Sequence, residues 1–300
     1  MTNQNALNDK YIKPIVTPKF YGQLGNQCFI IAATLSYAWD YDATPIFPGL
    51  HKNEDRTSYN KYRIFFQLDT TQSPRPVQNI FHERFWYSSD RIPFQKDLIL
   101  DGYFQSWKHF HHHRTKLLSI LAPSKFTLNT LNDKYKDLIT NPKTVAVHVR
   151  TAGKYNHDQR FHPFLGLKYY QNAVDQFPND AVFVVFADRI NWCKKHFPAL
   201  KRNFVFIEGN DGIEDMFLMS MMRHNIIANS TFSWWGAYLN QNQNQTVIAP
   251  EFWGGCPQPP QHPLKELILP EWTILPVPPF DPYPADMYDY GESQSCYKLE

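Results

Sequence analysis

The chain has 300 residues, a net charge of +2, 16% aromatic residues and four cysteines. That length allows one large or two modest domains around a substantial apolar core. The near-neutral balance argues against a polyanion such as nucleic acid as partner, although a small anion needs only a local cluster. No run of about 18 apolar residues occurs, so a membrane-spanning helix is not expected.

Met1 to Lys13 is polar and has no apolar core of the signal-peptide kind, so neither a leader nor an anchor is expected and a cytoplasmic location is. Cys28, Cys193, Cys256 and Cys296 lie far apart without C-x-x-C or metal-ligand spacing. They read as free thiols of a reducing compartment, with two disulfides as the alternative.

Taken in order, residues 1–18 form a loose lead-in. Phe20 to Gln27 is a glycine-containing turn that feeds a helix with apolar positions Cys28, Phe29, Ile31, Ala32, Leu35, Ala38 and Trp39. Gly22 and Gly25, placed just ahead of that helix, would let its first N–H groups approach a ligand; a plain tight turn is the alternative. Residues 40–95 read as short strands joined by loops. Leu98 to Asp101 is a strand before a polar-aromatic turn running to Lys108. Histidines follow at 109 and 111–113. Three consecutive residues cannot share one helix face at i, i+4 spacing, so they read as a solvated basic surface and no metal is assigned.

Residues 114–140 read as helical, and Asn141-Pro142 marks a break. The expected division is therefore an N-terminal domain over 1–141, a C-terminal domain over 142–275 and a Pro-rich tail over 276–300. After the break, apolar strands alternate with helices. The strands are Thr144 to Val147, Ala181 to Phe186, Phe204 to Ile207, Asn225 to Ala228 and Thr246 to Ala249. Between them lie helical patterns over Leu167 to Phe177, Asn191 to Phe197, Glu214 to Met222 and Trp234 to Leu239. Such alternation means an α/β fold with a doubly wound parallel sheet. From Pro257 onward the chain reads as an extended tail.

Ligands of such sheets bind beyond the carboxyl ends of the strands. His148 and Arg150, Asp188, and the turn Asn229 to Ser233 all fall at such ends. Ser230, Thr231 and Ser233 could be ordinary helix caps. Their place among other strand ends favours an anion pocket instead.

These same segments resemble glycosyltransferase family 11, the α-1,2-fucosyltransferases. Gly22-Gln-Leu-Gly-Asn-Gln27 is similar to that family's Gly-Gly-Leu-Gly-Asn-Gln opening, and Leu100-Asp-Gly-Tyr-Phe-Gln-Ser106 to its Gly-Tyr-(Phe/Trp)-Gln-Ser segment. His148-Val-Arg150 matches its His-x-Arg motif, and Phe186-Ala-Asp188 its Phe-Ser-Asp. Glu214 to Ser220 followed by His224 to Trp235 is the longest and most specific match. The resemblance implies a GT-B-like fold of two Rossmann-like domains, with the donor GDP-fucose held by a parallel sheet in the C-terminal half. It implies transfer with inversion to the 2-hydroxyl of a terminal galactose, no cofactor and no essential metal. Metal-using glycosyltransferases usually carry D-x-D, and Asp40-Tyr-Asp42 reads here as a solvated helix end.

A departing diphosphate gains negative charge, and without a metal, protein cations and N–H donors must take it. Arg150 suits this through its planar fork. Ser230, Thr231 and Ser233 would cradle the diphosphate from the other side, with Ser233 the foremost hydroxyl by resemblance. Asn26 and the Gly25 turn would reach it, or the reacting centre, from the N-terminal half. Asp188 could accept from the guanine N1–H and N2–H₂. His148 would line the same pocket, or be a hydrogen-bonded core histidine. Glu214 and Asp215 are either partners of a helix dipole or nucleotide contacts; Trp234 and Trp235 read as packing.

The family continues as Arg-Arg-Gly-Asp or a close variant, whereas here Thr151-Ala-Gly-Lys154-Tyr155 follows. The second arginine and the acidic residue are missing. His157, Asp158 and His162 lie downstream, and nothing in the sequence selects among them as the base. Two alternatives accompany the fucosyltransferase reading: a same-fold transferase with another donor or acceptor, and a nucleotide or carbohydrate binder without turnover.

Overall fold

The computed structural model describes residues 13–51, 63–84, 88–151, 164–254 and 264–278. Two parallel sheets dominate it. The first contains β1 (Ile15–Pro18), β2 (Thr44–Pro45), β3 (Asn79–His82) and β4 (Leu98–Asp101) in the order β2-β1-β4-β3. The second contains β5 (Thr144–Val149), β6 (Val182–Ala187), β7 (Asn203–Phe206), β8 (His224–Ile226), β9 (Val247–Pro250) and β10 (Thr273–Leu275), in the order β10-β9-β8-β5-β6-β7. Near-continuous apolar runs such as Val145 to Val149 suit strands covered on both faces, and β5 is buried along its whole length.

The helices are α1 (Leu24–Asp40), α2 (Arg114–Ile120), α3 (Lys125–Thr140), α4 (Gly166–Val174), α5 (Ile190–His196), α6 (Gly212–Met221), α7 (Thr231–Tyr238) and a short α8 (Leu264–Leu267). Helix α1 is buried on nearly every face from Gln27 to Ala38, as an apolar helix packed between layers must be. Its Ala33, Tyr37 and Ala38 meet Val16, Leu98 and Leu100 of the first sheet. Its Cys28, Phe29, Ile31, Ala32 and Leu35 join a larger core that also contains Ala146, Val184, Met216, Trp234 and Trp235.

Three differences from the sequence expectations have local causes. The helical stretch 114–140 is two helices, because Pro123 follows the end of α2 at Leu121 and Ser124 then caps α3, accepting from Thr127 N at 3.2 Å. Gly25 is not ahead of α1 but inside its first turn, after the N-cap Gln23. The segment beyond 257 is not all tail: α8 and β10 fold back, and Thr273–Leu275 pairs in parallel with β9. Residues 279–300 lie outside the described residues, as do Cys256 and Cys296; Cys28 and Cys193 are free and buried. Among the described residues no helix is long and apolar enough to cross a membrane.

The histidines form a solvated surface only in part, His112 alone among them being exposed. His109 is largely enclosed with its Nε2 2.7 Å from Ser88 O, and burial pushes its pKa down. His111 packs against Tyr238, and His112 and His113 both face Asp40.

Candidate active site

In each sheet the strand order reverses at one point. In the first, β1 leads outward to β2 on one side while β4 lies on the other; in the second, the reversal falls between β5 and β8. Both reversal points open onto a single cleft of about 470 Å³. Residues 22–26, from the β1–α1 connection, line one wall. His148, Arg150, residues 186–188, Gly212, Asp215 and residues 230–232 line the other.

The first turns of α1 and α7 meet at Gly25. A Cβ there would lie 2.6 Å from Phe232 N and Thr231 C, so only glycine permits this approach. Gly22 adopts φ +67, and a side chain on it would strike Asn26. The unpaired N–H groups of two helix N-termini thereby share the cleft, both carrying partial positive charge.

Asn26 joins the walls. Its Oδ1 accepts from Gln105 Nε2 at 2.8 Å and from Thr231 Oγ1 at 2.9 Å. With Oδ1 turned to those two groups, Nδ2 is the end left to donate. Gln105 belongs to the turn after β4. Glu83, at the end of β3, holds that turn by accepting from Tyr103 N at 2.7 Å and Phe104 N at 2.9 Å. Burial pushes the Glu83 carboxyl up to about 7, against the lowering effect of those two N–H bonds.

The paired strands β5 and β6 set His148 opposite Phe186 and Val149 opposite Ala187, so Arg150 and Asp188 emerge side by side. Arg150 Nη1 lies 3.4 Å from Asp188 Oδ2. Asp188 Oδ1 is occupied by Thr151, which donates its N–H at 3.0 Å and its hydroxyl at 2.7 Å. Asp188 thus holds the strand end through Oδ1 and its arginine through Oδ2. Thr151, where the chain leaves the family pattern, is the residue that ties β5 to β6. Among the described residues Arg150 is the one cation lining the cleft.

His148 is 6% exposed, and its Nδ1 has no hydrogen-bond partner among the described residues. Burial pushes its pKa down to about 4, with Asp188 opposing and Arg150 reinforcing the shift. The imidazole is therefore neutral near pH 7. Its unpartnered Nδ1 is buried, and the ring centroid lies 5.4 Å from that of Phe232.

The turn before α7 divides the three hydroxyls. Ser230 is the N-cap by position, yet its side chain makes no capping bond, so its hydroxyl is not spent on the helix. Thr231 is held by Asn26. Ser233 is fully buried, and its Oγ donates to Ala228 O at 3.4 Å and Ser230 O at 3.2 Å. It does not line the cleft, in contrast to the expectation that made it foremost; at the third position of α7 its side chain turns back onto its own backbone. Trp234 and Trp235 are fully buried core.

Glu214 and Asp215 also separate. Glu214 completes a capping box with Asp211 and pairs with Arg63. Asp215 lines the cleft, where burial pushes its carboxyl up to about 6, with Asp211 and Glu214 adding and Asn210 subtracting. Glu83 leaves no signal in the sequence; Gln105 shows only as part of the Gly-Tyr-Phe-Gln-Ser segment, Thr151 only as the point of departure after Arg150, and Asp215 as one of two alternatives in the Glu214 to Ser220 match. His157, Asp158 and His162 lie outside the described residues.

Two parallel sheets flanking one cleft at their reversal points give a GT-B-like fold. Residues 56–275 match glycosyl transferase family 11, and the chain belongs to that family. It is 35% identical over 210 residues to the O-antigen biosynthesis glycosyltransferase WbnK of Escherichia coli, spanning 65% of this chain and 69% of that protein. An Escherichia coli α-1,2-colitosyltransferase is 35% identical over 161 residues, 51% of this chain and 54% of that one. The galactoside α-(1,2)-fucosyltransferase 2 of Sus scrofa is 28% identical over 290 residues, 88% and 79% of the two chains. The Bradyrhizobium fucosyltransferase NodZ shares the fold with a TM-score of 0.53 at 11% identity, over 75% of this chain and 93% of that one.

Proposed function

We propose that this enzyme transfers L-fucose from GDP-fucose to the 2-hydroxyl of a terminal galactose, with inversion and without a catalytic metal. The observation that carries this reading is the convergence on one cleft of Arg150 with the opening turns of α1 and α7. That set of donors suits the two phosphates of a nucleoside diphosphate, which gain charge as the glycosidic bond breaks. Arg150 would hold the phosphates through its fork. The Ser230 hydroxyl and the first N–H groups of α7, from Thr231 on, would hold them from the β8 side, and the Asn26 amide from the β1 side.

The neutral His148 can accept from, or donate to, a ribose or base group without adding charge. Asp188 Oδ2 would accept from the guanine edge once Arg150, now 3.4 Å away, turns to the phosphates. The acceptor would enter along the wall built by the first sheet, and Asp215 is a cleft carboxylate whose raised pKa suits proton removal.

The test is turnover of GDP-fucose with a panel of galactose-ended glycans, with the linkage of the product determined, in the presence and absence of EDTA. Product at the 2-position, unaffected by EDTA, supports the proposal. GDP binding that is tight and indifferent to UDP and ADP supports the donor assignment, whereas binding without any turnover leaves only a nucleotide-binding relative. The colitosyltransferase relative motivates a second reading, a colitosyl donor in the same cleft; competition between the two nucleotide sugars for one acceptor separates them.

A further inference from the structure

Helix α1 carries chemistry at both ends. Asn26 sits in its first turn and Asp40 is its last residue, about 21 Å further along the axis. There Asp40 meets a 3₁₀ turn, His111–His113, that leads directly into α2. Asp40 Oδ1 lies 3.1 Å from His112 Nε2 and 2.8 Å from His113 Nε2, and the Ser36 hydroxyl lies 3.3 Å from His112 Nε2. The two imidazoles are tilted by 45° with centroids 4.3 Å apart, and the His113 ring packs edge-on against Trp39. Both histidines thus aim the same nitrogen at one carboxylate oxygen.

We propose that Asp40, His112 and His113 form a divalent-metal site, with Zn²⁺ the occupant its ligands suit best. Two imidazole nitrogens and a carboxylate oxygen are the donor set of borderline cations. A tetrahedral Zn²⁺ with bonds of about 2.0–2.1 Å separates its ligand atoms by about 3.3 Å. The observed 3.1 and 2.8 Å need only a few tenths of an ångström to reach that edge. Adjacent histidines cannot serve one face of a single α-helix at i, i+4 spacing. Here a 3₁₀ turn supplies both and a second helix brings the third ligand, which no local spacing in the sequence reveals.

The fourth position is left to water, on the side where the His112 side chain is half exposed. Asp40 and His112 also line a separate cleft of about 430 Å³ with Lys108, Arg91 and Tyr41. The site clips the end of α1 to the turn that starts α2. Arg114, the first residue of α2, donates to Tyr238 O and Asn240 O at the end of α7, both at 2.9 Å. Its metal is therefore structural and independent of transfer chemistry at the other end of α1.

The experiment uses the full chain, stripped with a chelator and titrated with ZnCl₂ by calorimetry, with melting followed in parallel. One saturable site is expected, with a rise in melting temperature on the order of 5 °C at saturating metal. Asp40→Asn and His113→Ala should each abolish that site and the rise, while their metal-free melting temperatures show that they fold. Substitution with Co²⁺ adds a spectroscopic readout, an intense visible absorption of tetrahedral type that either variant removes. Absence of Zn²⁺ binding, or binding and Co²⁺ colour that persist in Asp40→Asn and His113→Ala, overturns the assignment.

Discussion

Removal of the Arg150 guanidinium tests the charge logic of the cleft most directly. Without it, the described cleft keeps the Asp188 and Asp215 carboxylates and no cation. A phosphate oxygen about 4 Å from a unit charge gains about 4 kcal/mol at an effective dielectric of about 20. The Arg150 side chain is 26% exposed, so solvent screens part of that. A loss of about 10²–10³ in turnover for Arg150→Ala follows, or about 2.7–4 kcal/mol, the range found when a preorganised donor is deleted. Arg150→Lys should fall between, because it keeps the charge and loses the fork. Initial rates with GDP-fucose give kcat and KM, and GDP calorimetry gives ground-state binding. If the charge acts on the leaving group as proposed, kcat should fall more than GDP affinity. An Arg150→Ala enzyme that folds and keeps turnover within tenfold of the parent would refute the reasoning.

Four further outcomes are expected. Gly25→Ala forces a Cβ against the backbone of Thr231 and Phe232; activity should drop severely, with a lowered melting temperature, and a fully active variant would contradict the close approach of α1 and α7. Asn26→Ala removes the acceptor shared by Gln105 and Thr231, so kcat should fall and Gln105→Ala should add little to it in a double-mutant cycle. Ser233→Ala should leave turnover within a few-fold and cost about 1 kcal/mol in urea denaturation, since its hydroxyl bonds only backbone carbonyls. The Glu83 carboxyl, raised from 4.5 to about 7, has its folded-state pKa above its unfolded one. Its stabilising contribution is full below the unfolded value and is lost as pH rises through about 7, so urea midpoints should decline over that window in the parent and less in Glu83→Gln.

The second sheet was legible because each of its buried strands is a short apolar run, and β5, β6 and β8 are followed within a few residues by the polar Arg150, Asp188 and Asn229. The first sheet was less so. β2 is two residues long, and β3 is largely exposed, so neither leaves a periodic trace. Within the cleft, Arg150 and Asp188 could be placed from strand ends alone, since parallel register carries them into contact. Ser233 could not be separated from Ser230 and Thr231, because spacing along a turn does not say which hydroxyl faces out. The Asp40–His112–His113 cluster escaped for a related reason, its partners being 72 and 73 residues apart in the chain.

Helix α1 has a consequence for how such enzymes can be recombined. It follows β1 in the chain, yet the Phe29 ring lies 4.5 Å from Trp234 and 5.2 Å from Trp235, well inside the layer built by residues beyond 142. Cutting the chain at Asn141 would strip that layer of its neighbour and leave large aromatic surfaces bare, at a cost of about 3–5 kcal/mol for Phe29 alone. A chimera meant to graft a new acceptor wall from a relative must therefore bring its α1 together with a matching α7. The exchangeable module is discontinuous in sequence, and the two halves should melt as one cooperative unit.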